Sequence, residues 1–306
     1  MDPLEFGITI SQPADVAAEA SASEALGYDF VSTGEHVFFY GPNTNGLITL
    51  AAAAGATRRI KLLSSITLAP LYNAALLTKQ IVTLDVVSNG RFHLGVGVGG
   101  EFAKEFEACG VPVAERGART NEFLEIFSRL CSETDVEFEG RFNCIPGLTL
   151  APKPLQQPHP PIWVSGRSDS AKLRAARHGT GWLPYMYTPE LLAESLEQIA
   201  KLRADLGRQD PIRPGLFIFF AAHPDRERAV QMAAERLSKQ YNQDFSKRVH
   251  RYAIAGNPAD CVARLREYTD AGARTVILSS ACPGSHIPEN KRMLAEEVLP
   301  ALRESA

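Results

Sequence analysis

Short apolar runs alternate with segments of helical periodicity along almost the whole chain. Runs rich in β-branched and aromatic residues predict strands, and segments whose apolar residues recur every three to four positions predict amphipathic helices. The eight predicted strands are Glu5–Ile10, Asp29–Thr33, Lys61–Thr67, Phe92–Gly97, Ile162–Ser165, Gly181–Tyr185, Leu216–Ala221 and Thr275–Ser279. The predicted helices are Pro13–Leu26, Leu47–Thr57, Ala75–Val87, Ala118–Cys131, Ser168–His178, Pro189–Leu206, Asp225–Gln240, Pro258–Ala271 and Glu289–Leu302. This alternation indicates an α/β fold with a parallel sheet.

The eight strand–helix units fit either an open doubly wound sheet or a closed barrel. The length of the chain is close to that of an enlarged (β/α)8 TIM barrel, which we favour, with insertions in the βα loops at residues 99–118, 134–160 and 241–256. The alternating stretch "DVEFEGRFNCIPGLTLAPKP" predicts an appended hairpin. No break in composition divides the chain, so we expect one barrel domain over residues 1–306.

Composition and charge narrow the class of ligand. The chain has 306 residues, of which 45% are hydrophobic and 22% charged, so it can bury a large core. The formal net charge is −3 and no run of Lys and Arg is present, which favours neither nucleic acid nor a membrane as a partner. The start of the sequence lacks the pattern of a signal peptide, and no apolar run reaches the roughly 18 to 20 residues that cross a bilayer. We therefore expect a cytoplasmic protein that binds a small molecule.

The cysteines and histidines do not predict a metal site. Five cysteines are widely spread without a C-x-x-C pair, which argues against a disulfide framework and a thiolate site. The seven histidines show no H-E-x-x-H spacing. Reduced thiols and no bound metal are the expectation.

A run of glycines, "GVGVGG", follows the fourth predicted strand. A dinucleotide fingerprint would instead follow the first strand and open a helix, so a Rossmann site is disfavoured. In a barrel, the carboxyl ends of the strands converge on the active site, which would bring Gly97, Gly99 and Gly100 close to a cofactor ring. The alternative is a glycine-rich turn without a ligand.

The segment "PIWVSGRSDSAKL" combines a strand that ends at Ser165 with a helix that begins near Ser168. Free backbone N–H groups and the positive end of a helix dipole suit a phosphate there, with Gly166 supplying flexibility and Arg167 a charge-assisted contact. The alternative is an ordinary helix cap by Ser168.

Three blocks of sequence carry a resemblance to a known family. They are "APLYNAALLTKQIVTLDVVSNGRFHLGVGVGG", "FEACGVPVAERGARTNEFLEIF" and "KPLQQPHPPIWVSGRSDSAKLRAARHGTGWLP". In order and spacing they resemble the luciferase-like monooxygenase superfamily, and within it the coenzyme F420-dependent oxidoreductases. The resemblance covers nearly the whole chain and implies a (β/α)8 barrel whose flat cofactor lies at the carboxyl ends of the strands.

The resemblance also implies cofactor-binding residues. Several members have a non-proline cis peptide that presses on the cofactor ring at the end of the third strand, and "LLSSITLAP" places it at Ser65–Ile66. An ordinary trans strand end is the alternative. The family's phosphate-binding backbone matches the end of the fifth strand. The predicted cofactor-binding residues are Ser65, Ile66, Gly97, Gly99, Ser165, Gly166, Arg167 and Ser168.

Two residues are implied as catalytic. In F420-dependent relatives a histidine after the second strand is proposed as an acid or base, and His36 matches it; its alternative role is a hydrogen bond to a loop carbonyl. Glu35 could orient that imidazole or be solvated. Some relatives place a proton-donating glutamate after the glycine run, which corresponds to Glu101, although the extra Gly100 precedes it and a solvated carboxylate is the alternative.

Other conspicuous side chains are interpreted as packing or lining residues. His93 and His178 are expected to pack at the ends of elements. Aromatic residues at the predicted mouth could line an apolar substrate pocket or belong to the core: Phe38, Phe39, Tyr40, Tyr185 and Tyr187. The insertion 241–256 carries Lys247, Arg248, His250 and Arg251 and could be a lid, a basic strip for the acidic tail of F420 or a solvated loop.

The leading hypothesis is an F420-dependent oxidoreductase that transfers a hydride between F420 and a small organic substrate. One alternative is an FMN-dependent monooxygenase that uses reduced flavin and O2, and another is a non-enzymatic flavin-binding relative. We also expect a homodimer, because relatives form dimers and the predicted helix Ala75–Val87 is apolar enough for a dimer face, although packing on the barrel explains it too.

Overall fold

The computed structural model describes residues 3–11 and 13–303. Its strands are β1 (Glu5–Thr9), β2 (Phe30–Thr33), β3 (Lys61–Ser64), β4 (Thr67–Leu68), β5 (Phe92–Gly97), β6 (Val136–Glu139), β7 (Cys144–Leu148), β8 (Ile162–Val164), β9 (Gly181–Trp182), β10 (Arg213–Ala222), β11 (Ala253–Gly256) and β12 (Thr275–Ser280). Its α-helices are α1 (Val16–Ala25), α2 (Gly46–Ala56), α3 (Ala74–Val87), α4 (Ala103–Ala108), α5 (Arg116–Ser132), α6 (Asp169–His178), α7 (Pro189–Asp205), α8 (Arg226–Tyr241), α9 (Val249–Tyr252), α10 (Pro258–Asp270), α11 (Ile287–Met293) and α12 (Leu299–Arg303).

The parallel strands close into a ring of eight positions. Around the ring the order is β1, β2, β3, β5, β8, β9, β10 and β12, and β12 pairs again with β1. Strand β4 continues the line of β3 and pairs with β5, so the two together fill the third position. The chain therefore forms a (β/α)8 TIM barrel, which confirms the predicted fold class.

All eight predicted barrel strands are present; β5 has the predicted ends, and the ends of the other strands are shifted. The predicted strand Gly181–Tyr185 is the largest departure, because it is reduced to β9 and a single bridge between Tyr185 and Phe217. The predicted hairpin is confirmed as the antiparallel pair β6–β7. Three short elements were not predicted: α4, α9 and β11, of which β11 pairs with the carboxyl end of β10.

Alternation along each strand divides the core into two layers. Phe30, Leu63, Trp163, Leu183 and Ile277 pack together inside the ring, and the residues beside them in sequence face the surrounding helices. A closed ring with alternating sides buries both faces of every strand. The helices thus cover the barrel while the interior side chains fill its axis.

The lower part of the barrel interior contains His93, as predicted for a packing residue. Its Nδ1 accepts a hydrogen bond from Trp163 Nε1 at 3.1 Å. Burial, and then the charges of Lys61 and Arg213, lower the pKa of His93 to about 3. The imidazole is therefore neutral at ordinary pH.

None of the helices in the described part of the chain is long and apolar enough to span a bilayer.

Candidate active site

The carboxyl end of the third barrel strand bulges at the predicted place. The peptide bond between Ser65 and Ile66 is cis, which confirms that prediction, and it separates β3 from β4. The bulge is tied to its neighbour because Ser65 N donates to Thr33 O on β2 at 2.8 Å. The backbone of Ser65 and Ile66 therefore forms the part of the barrel mouth that lies at the end of the third strand.

The glycine run permits β5 to lie against this bulge. A Cβ atom on Gly95 would be 1.8 Å from Ser64 O, so the backbone would have to shift. One on Gly97 would be 1.8 Å from Ile66 Cδ1, so the Ile66 side chain would have to move. Gly99 and Gly100 have φ angles of 60° and 102° and form the turn that leaves the strand. Gly97 and Ile66 are thus brought together, and their contact with a cofactor stays a prediction.

His36 follows β2 and is held by a carboxylate that sequence reasoning missed. Its Nδ1 lies 3.2 Å from each carboxylate oxygen of Glu105, a fully buried residue of α4. The imidazole also stacks on Phe39, with 4.2 Å between ring centroids and 15° between planes. Glu105 therefore holds the edge of the imidazole and Phe39 holds its face. The alternative, a hydrogen bond from His36 to a loop carbonyl, is not the contact found.

Both suggested roles of Glu35 are wrong. This carboxylate is buried and accepts hydrogen bonds from Leu68 N at 2.9 Å, Gly46 N at 3.1 Å and Tyr72 Oη at 3.0 Å. Burial raises the pKa of Glu35 above its usual value, although these bonds oppose the shift. Glu35 thus joins the loop after β2 to α2 and β4, while Glu105 holds the imidazole.

Sequence reasoning missed Glu105 because its helix, α4, has only six residues, too few to show a helical period in the sequence.

Glu101 is exposed at the rim, but it is not simply solvated. Its carboxylate accepts a hydrogen bond from Tyr185 Oη, and the guanidinium of Arg167 lies 5.1 Å from the centre of the Tyr185 ring. Burial, followed by the charge of Glu101, raises the pKa of Tyr185. Residues from the loops after β5, β8 and β9 therefore meet at one side of the mouth. His36 and Glu101, the predicted catalytic residues, belong to different pairs.

The predicted phosphate loop has a defined backbone. Gly166 has a φ of 120°, and its carbonyl accepts a hydrogen bond from Trp182 Nε1 at 3.0 Å. Ser168 caps α6, because its Oγ accepts from Ala171 N at 3.3 Å. The cap does not exclude a phosphate, since Arg167 and Ser168 are exposed and α6 begins there. Ser165 is half-buried, and its N–H donates to Val96 O at 2.9 Å.

Inward-facing hydroxyls form a feature that the sequence analysis did not identify. Thr9 of β1 is in register with Ser32 of the adjacent strand β2, and Thr9 Oγ1 donates to Ser279 Oγ of β12, the neighbour on the other side, at 3.2 Å. The Oγ atoms of Ser32 and Ser65 are buried without a partner among the described protein atoms. A buried polar group without a partner costs about 1–3 kcal/mol, so this region suits a polar ligand or water. The sequence does contain a signal for Ser32: side chains alternate between the two faces of a strand, so Ser32 lies on the same inward face of β2 as Phe30.

The other predicted lining residues divide into two groups. Phe38 and Tyr40 are more than half exposed on the loop after β2. Tyr187 is instead a core residue, because it is buried, meets Trp182 edge-on at 5.5 Å and shares a hydrogen bond of 3.1 Å with Ser195. His178 packs as expected, and burial lowers its pKa to about 4.

The insertion after α8 is more than a solvated loop. Its Phe245 and Val249 are buried against a cluster that includes Phe219 of β10. Its predicted basic side chains are exposed: Lys247, Arg248, His250 and Arg251. The segment thus combines an anchored apolar side with a basic outer side.

Comparison with known proteins identifies the family. The family model for luciferase-like monooxygenase matches residues 5–275. The chain is 30% identical to the oxygenase component of the flavin-dependent trigonelline monooxygenase of Acinetobacter baylyi over 227 residues, which cover 71% of this chain and 61% of that protein. It is 26% identical to the F420-dependent glucose-6-phosphate dehydrogenase of Microbacterium testaceum, with 98% of both chains covered.

The fold comparison agrees with the family match. An F420-dependent secondary alcohol dehydrogenase, solved with an F420–acetone adduct, superimposes with a TM-score of 0.87 over 98% of this chain and 99% of its own, at 18% identity. At this identity the likeness concerns the fold alone. The family match, which spans most of the barrel, shows that the chain belongs to the luciferase-like monooxygenase family.

Proposed function

We propose that this protein is a coenzyme F420-dependent oxidoreductase that transfers a hydride between F420 and a small organic substrate. The observation that carries the proposal is His36, a half-buried imidazole after β2 whose Nδ1 is bound to a buried carboxylate. A two-electron transfer to or from an organic substrate needs a proton partner, and a positioned imidazole exchanges protons near neutral pH. The 26% identity to an F420-dependent dehydrogenase over 98% of both chains supports the same cofactor.

The described residues fit a flat cofactor with a phosphate. The unpartnered hydroxyls of Ser32 and Ser65 lie where polar edges of a ring would find donors and acceptors. The main chain around Ser65, Ile66, Gly97 and Gly99 would hold the ring, and residues 165–168 would hold the phosphate. When bound, F420 supplies the hydride chemistry of its deazaflavin ring.

At one of the two strand ends that usually hold a phosphate in this fold, the backbone is already bound to protein groups. In many TIM barrels, the phosphate binds after the seventh and eighth strands. At that position, Ala222 N donates to Asn290 Oδ1 at 2.6 Å, and Ala222 O lies 3.1 Å from His286 Nε2. The amide and carbonyl at the end of β10 are therefore engaged. This supports the end of β8, with Gly166, Arg167 and Ser168, as the phosphate loop.

The residues of the mouth have separate tasks under this proposal. His36 takes up or releases the proton that accompanies the hydride. Arg167 and the first turn of α6 bind negative charge. Glu101 and Tyr185 form a second proton-bearing pair at the mouth, where they orient the substrate. Phe38 and Tyr40 offer apolar surface to it.

An FMN-dependent monooxygenase is the second candidate. The identity to the flavin-dependent trigonelline monooxygenase favours it. A reaction with O2 must exclude water from the reactive flavin. The insertion with buried Phe245 and Val249 is a segment that could cover the mouth for that purpose.

Fluorescence titration distinguishes the two cofactors. The chain has two tryptophans, and Trp182 donates to the carbonyl of Gly166, so its emission should report on the phosphate loop. F420 and FMN are each added to the apo protein, and we expect tight quenching by F420. Arg167→Gln should weaken that binding about tenfold through the lost charge-assisted contact, whereas the control Arg177→Gln, in the last turn of α6, should not. Tight binding of FMN alone would overturn the proposed cofactor.

We also propose a homodimer, through a face that differs in part from the predicted one. Most apolar residues of α3, such as Leu77 and Ile81, are buried, and the exposed ones are Leu76 and Val87. The outer side of α2 is exposed and entirely apolar or small, with Ile48, Ala51, Ala52 and Gly55. Together these residues form an apolar face suited to a second copy.

Sedimentation measures the oligomeric state directly. Ile48 is 73% exposed, and Ile48→Glu would place a charge in the proposed interface. We expect this variant to shift a dimer toward monomer, while Leu206→Glu, at the exposed apolar position directly after α7, leaves it intact. A monomer at every concentration of the unchanged protein would contradict the dimer.

A further inference from the structure

We propose that Glu105 is a positioning residue that binds the Nδ1–H of His36 and so leaves Nε2 as the nitrogen that exchanges a proton. The inference rests on the proposed function only for the use of that proton. The arrangement itself follows from contacts between two side chains and one loop.

Glu105 gathers donors from three consecutive residues. Its Oε2 accepts from Val37 N at 2.7 Å and from Phe38 N at 3.1 Å, and it lies 3.2 Å from His36 Nδ1. Its Oε1 lies at the same distance, 3.2 Å, from Nδ1. The Glu105 side chain is completely buried, so water does not compete for these oxygens. A buried carboxylate with several N–H donors is well satisfied, and removal of the carboxylate would leave those donors without partners.

The loop that carries His36 depends on these bonds because it buries little apolar surface. Val37 and Phe38 are each 53% exposed, and Tyr40 is 59% exposed. Burial therefore cannot fix the backbone at this position. The two N–H groups that point at Glu105 fix it instead. Glu35 secures the same loop on its other side through Leu68, Gly46 and Tyr72.

The carboxylate determines which nitrogen of a neutral His36 carries the proton. A carboxylate accepts hydrogen bonds, so Nδ1 must present N–H to it, and the lone pair is then on Nε2. Within the described residues, Nε2 makes no hydrogen bond to protein. Phe39, stacked 4.2 Å away, holds the plane of the ring. Nε2 is thus the free, oriented atom of the pair.

The tautomer can be measured on the protein alone. Long-range ¹H–¹⁵N spectra of ¹⁵N-labelled protein distinguish a protonated Nδ1 from a protonated Nε2, and His36→Gln identifies the His36 signals. For the neutral His36 imidazole of the unchanged protein we expect protonated Nδ1 and bare Nε2. A protonated Nε2 there would overturn the proposal.

Glu105→Gln tests the dependence on the carboxylate. Its amide NH2 would face the N–H groups of Val37 and Phe38, so we expect a mixture of tautomers and a turnover about 10- to 100-fold lower, with little change in cofactor affinity. Glu107→Gln, an exposed change on the same helix, is the control. An unchanged tautomer and turnover in Glu105→Gln would refute the role.

Two further results keep the outcomes separate. If Glu105→Gln does not fold, Glu105→Asp retains the charge at a longer distance and should show the mixed tautomer, and the spectrum of the unchanged protein already decides the main point. A protonated Nδ1 in a protein that binds neither cofactor would sink the proposed function and leave this inference standing. A protonated Nε2 in an active F420 enzyme would do the reverse.

Discussion

The two ends of the barrel differ in how their buried polar groups are satisfied. At the amino ends of the strands, which we name the foot, Glu5 binds Lys61 and Arg213, and Thr275 Oγ1 accepts from Arg213 Nε at 2.7 Å. At the carboxyl ends, the mouth, lie four of the six buried side-chain atoms without a hydrogen-bond partner among the described residues: the hydroxyls of Ser32, Ser65, Thr67 and Ser280.

This difference separates stability from function within one ring. Unpaired buried hydroxyls destabilise a protein, so a site that keeps them has another partner for them. TIM barrels place binding groups at the carboxyl ends of strands and use the opposite end for stability. The foot of this barrel should therefore tolerate few polar changes. The mouth should tolerate them at the expense of binding.

The largest expected effect comes from a methyl group at the wall of the mouth. Gly95→Ala would place Cβ 1.8 Å from Ser64 O, a backbone atom, so β5 and the bulge must separate. We expect a loss of more than about 3 kcal/mol in the free energy of unfolding, or no folded protein. Denaturant unfolding measures it, and Gly41→Ala, where Cβ would meet no atom within 4 Å, is the control. A fully stable Gly95→Ala protein would show that the bulge is not packed as described.

The next effect separates chemistry from binding at the mouth. His36→Ala removes the proposed proton partner but none of the proposed phosphate contacts, so turnover should fall about 10²- to 10⁴-fold while the cofactor Kd changes little. Stopped-flow hydride transfer and fluorescence titration measure the two quantities. Unchanged turnover would exclude His36 as the proton partner.

The sequence predicted the strands that surround this mouth better than the side-chain contacts between its loops. Strand β5 was predicted with its observed ends, because its apolar run is bounded by Arg91 and the glycine turn. Glu105 was missed because its role depends on a six-residue helix meeting a loop 68 residues earlier in the chain. Such a contact leaves no periodic signal.

Tyr187 shows the converse limit. An aromatic residue near a strand end suits a pocket or the core equally well in sequence. The direction of the chain after β9, which turns Tyr187 against Trp182, decides between them. That direction is set by tertiary packing, which no local pattern encodes.

A third effect concerns pH and the interior near the foot. Folded His93 has a pKa of about 3, against 6.5 for an ordinary histidine. In the unfolded chain His93 therefore becomes protonated below about pH 6.5, whereas in the folded chain it becomes protonated only near pH 3. This group costs no stability above pH 6.5, and its penalty grows as the pH falls, by about 1.4 kcal/mol per unit well below that value.

His93→Gln should reduce this pH dependence. The glutamine carbonyl can still accept from Trp163 Nε1 but does not titrate in this range. Urea unfolding between about pH 7.5 and 4.5 should show a shallower loss of stability than in the unchanged protein. The exposed substitution His250→Gln should leave the slope unaltered. A steep slope that survives in His93→Gln would place its origin in other groups.

The smallest effect compares one hydroxyl at each end. Thr275→Val at the foot removes the acceptor of Arg213 Nε and should destabilise the apo protein by about 1–2 kcal/mol. Ser32→Ala at the mouth removes a hydroxyl without a protein partner, so the apo protein should be unchanged or about 1 kcal/mol more stable, while the cofactor or substrate binds several-fold more weakly. Unfolding and titration of both variants give the signs. If Thr275→Val and Ser32→Ala lose equal stability and neither variant loses affinity, the hydroxyl of Ser32 is structural. The distinction between foot and mouth would then fail at the pair of residues that tests it most directly.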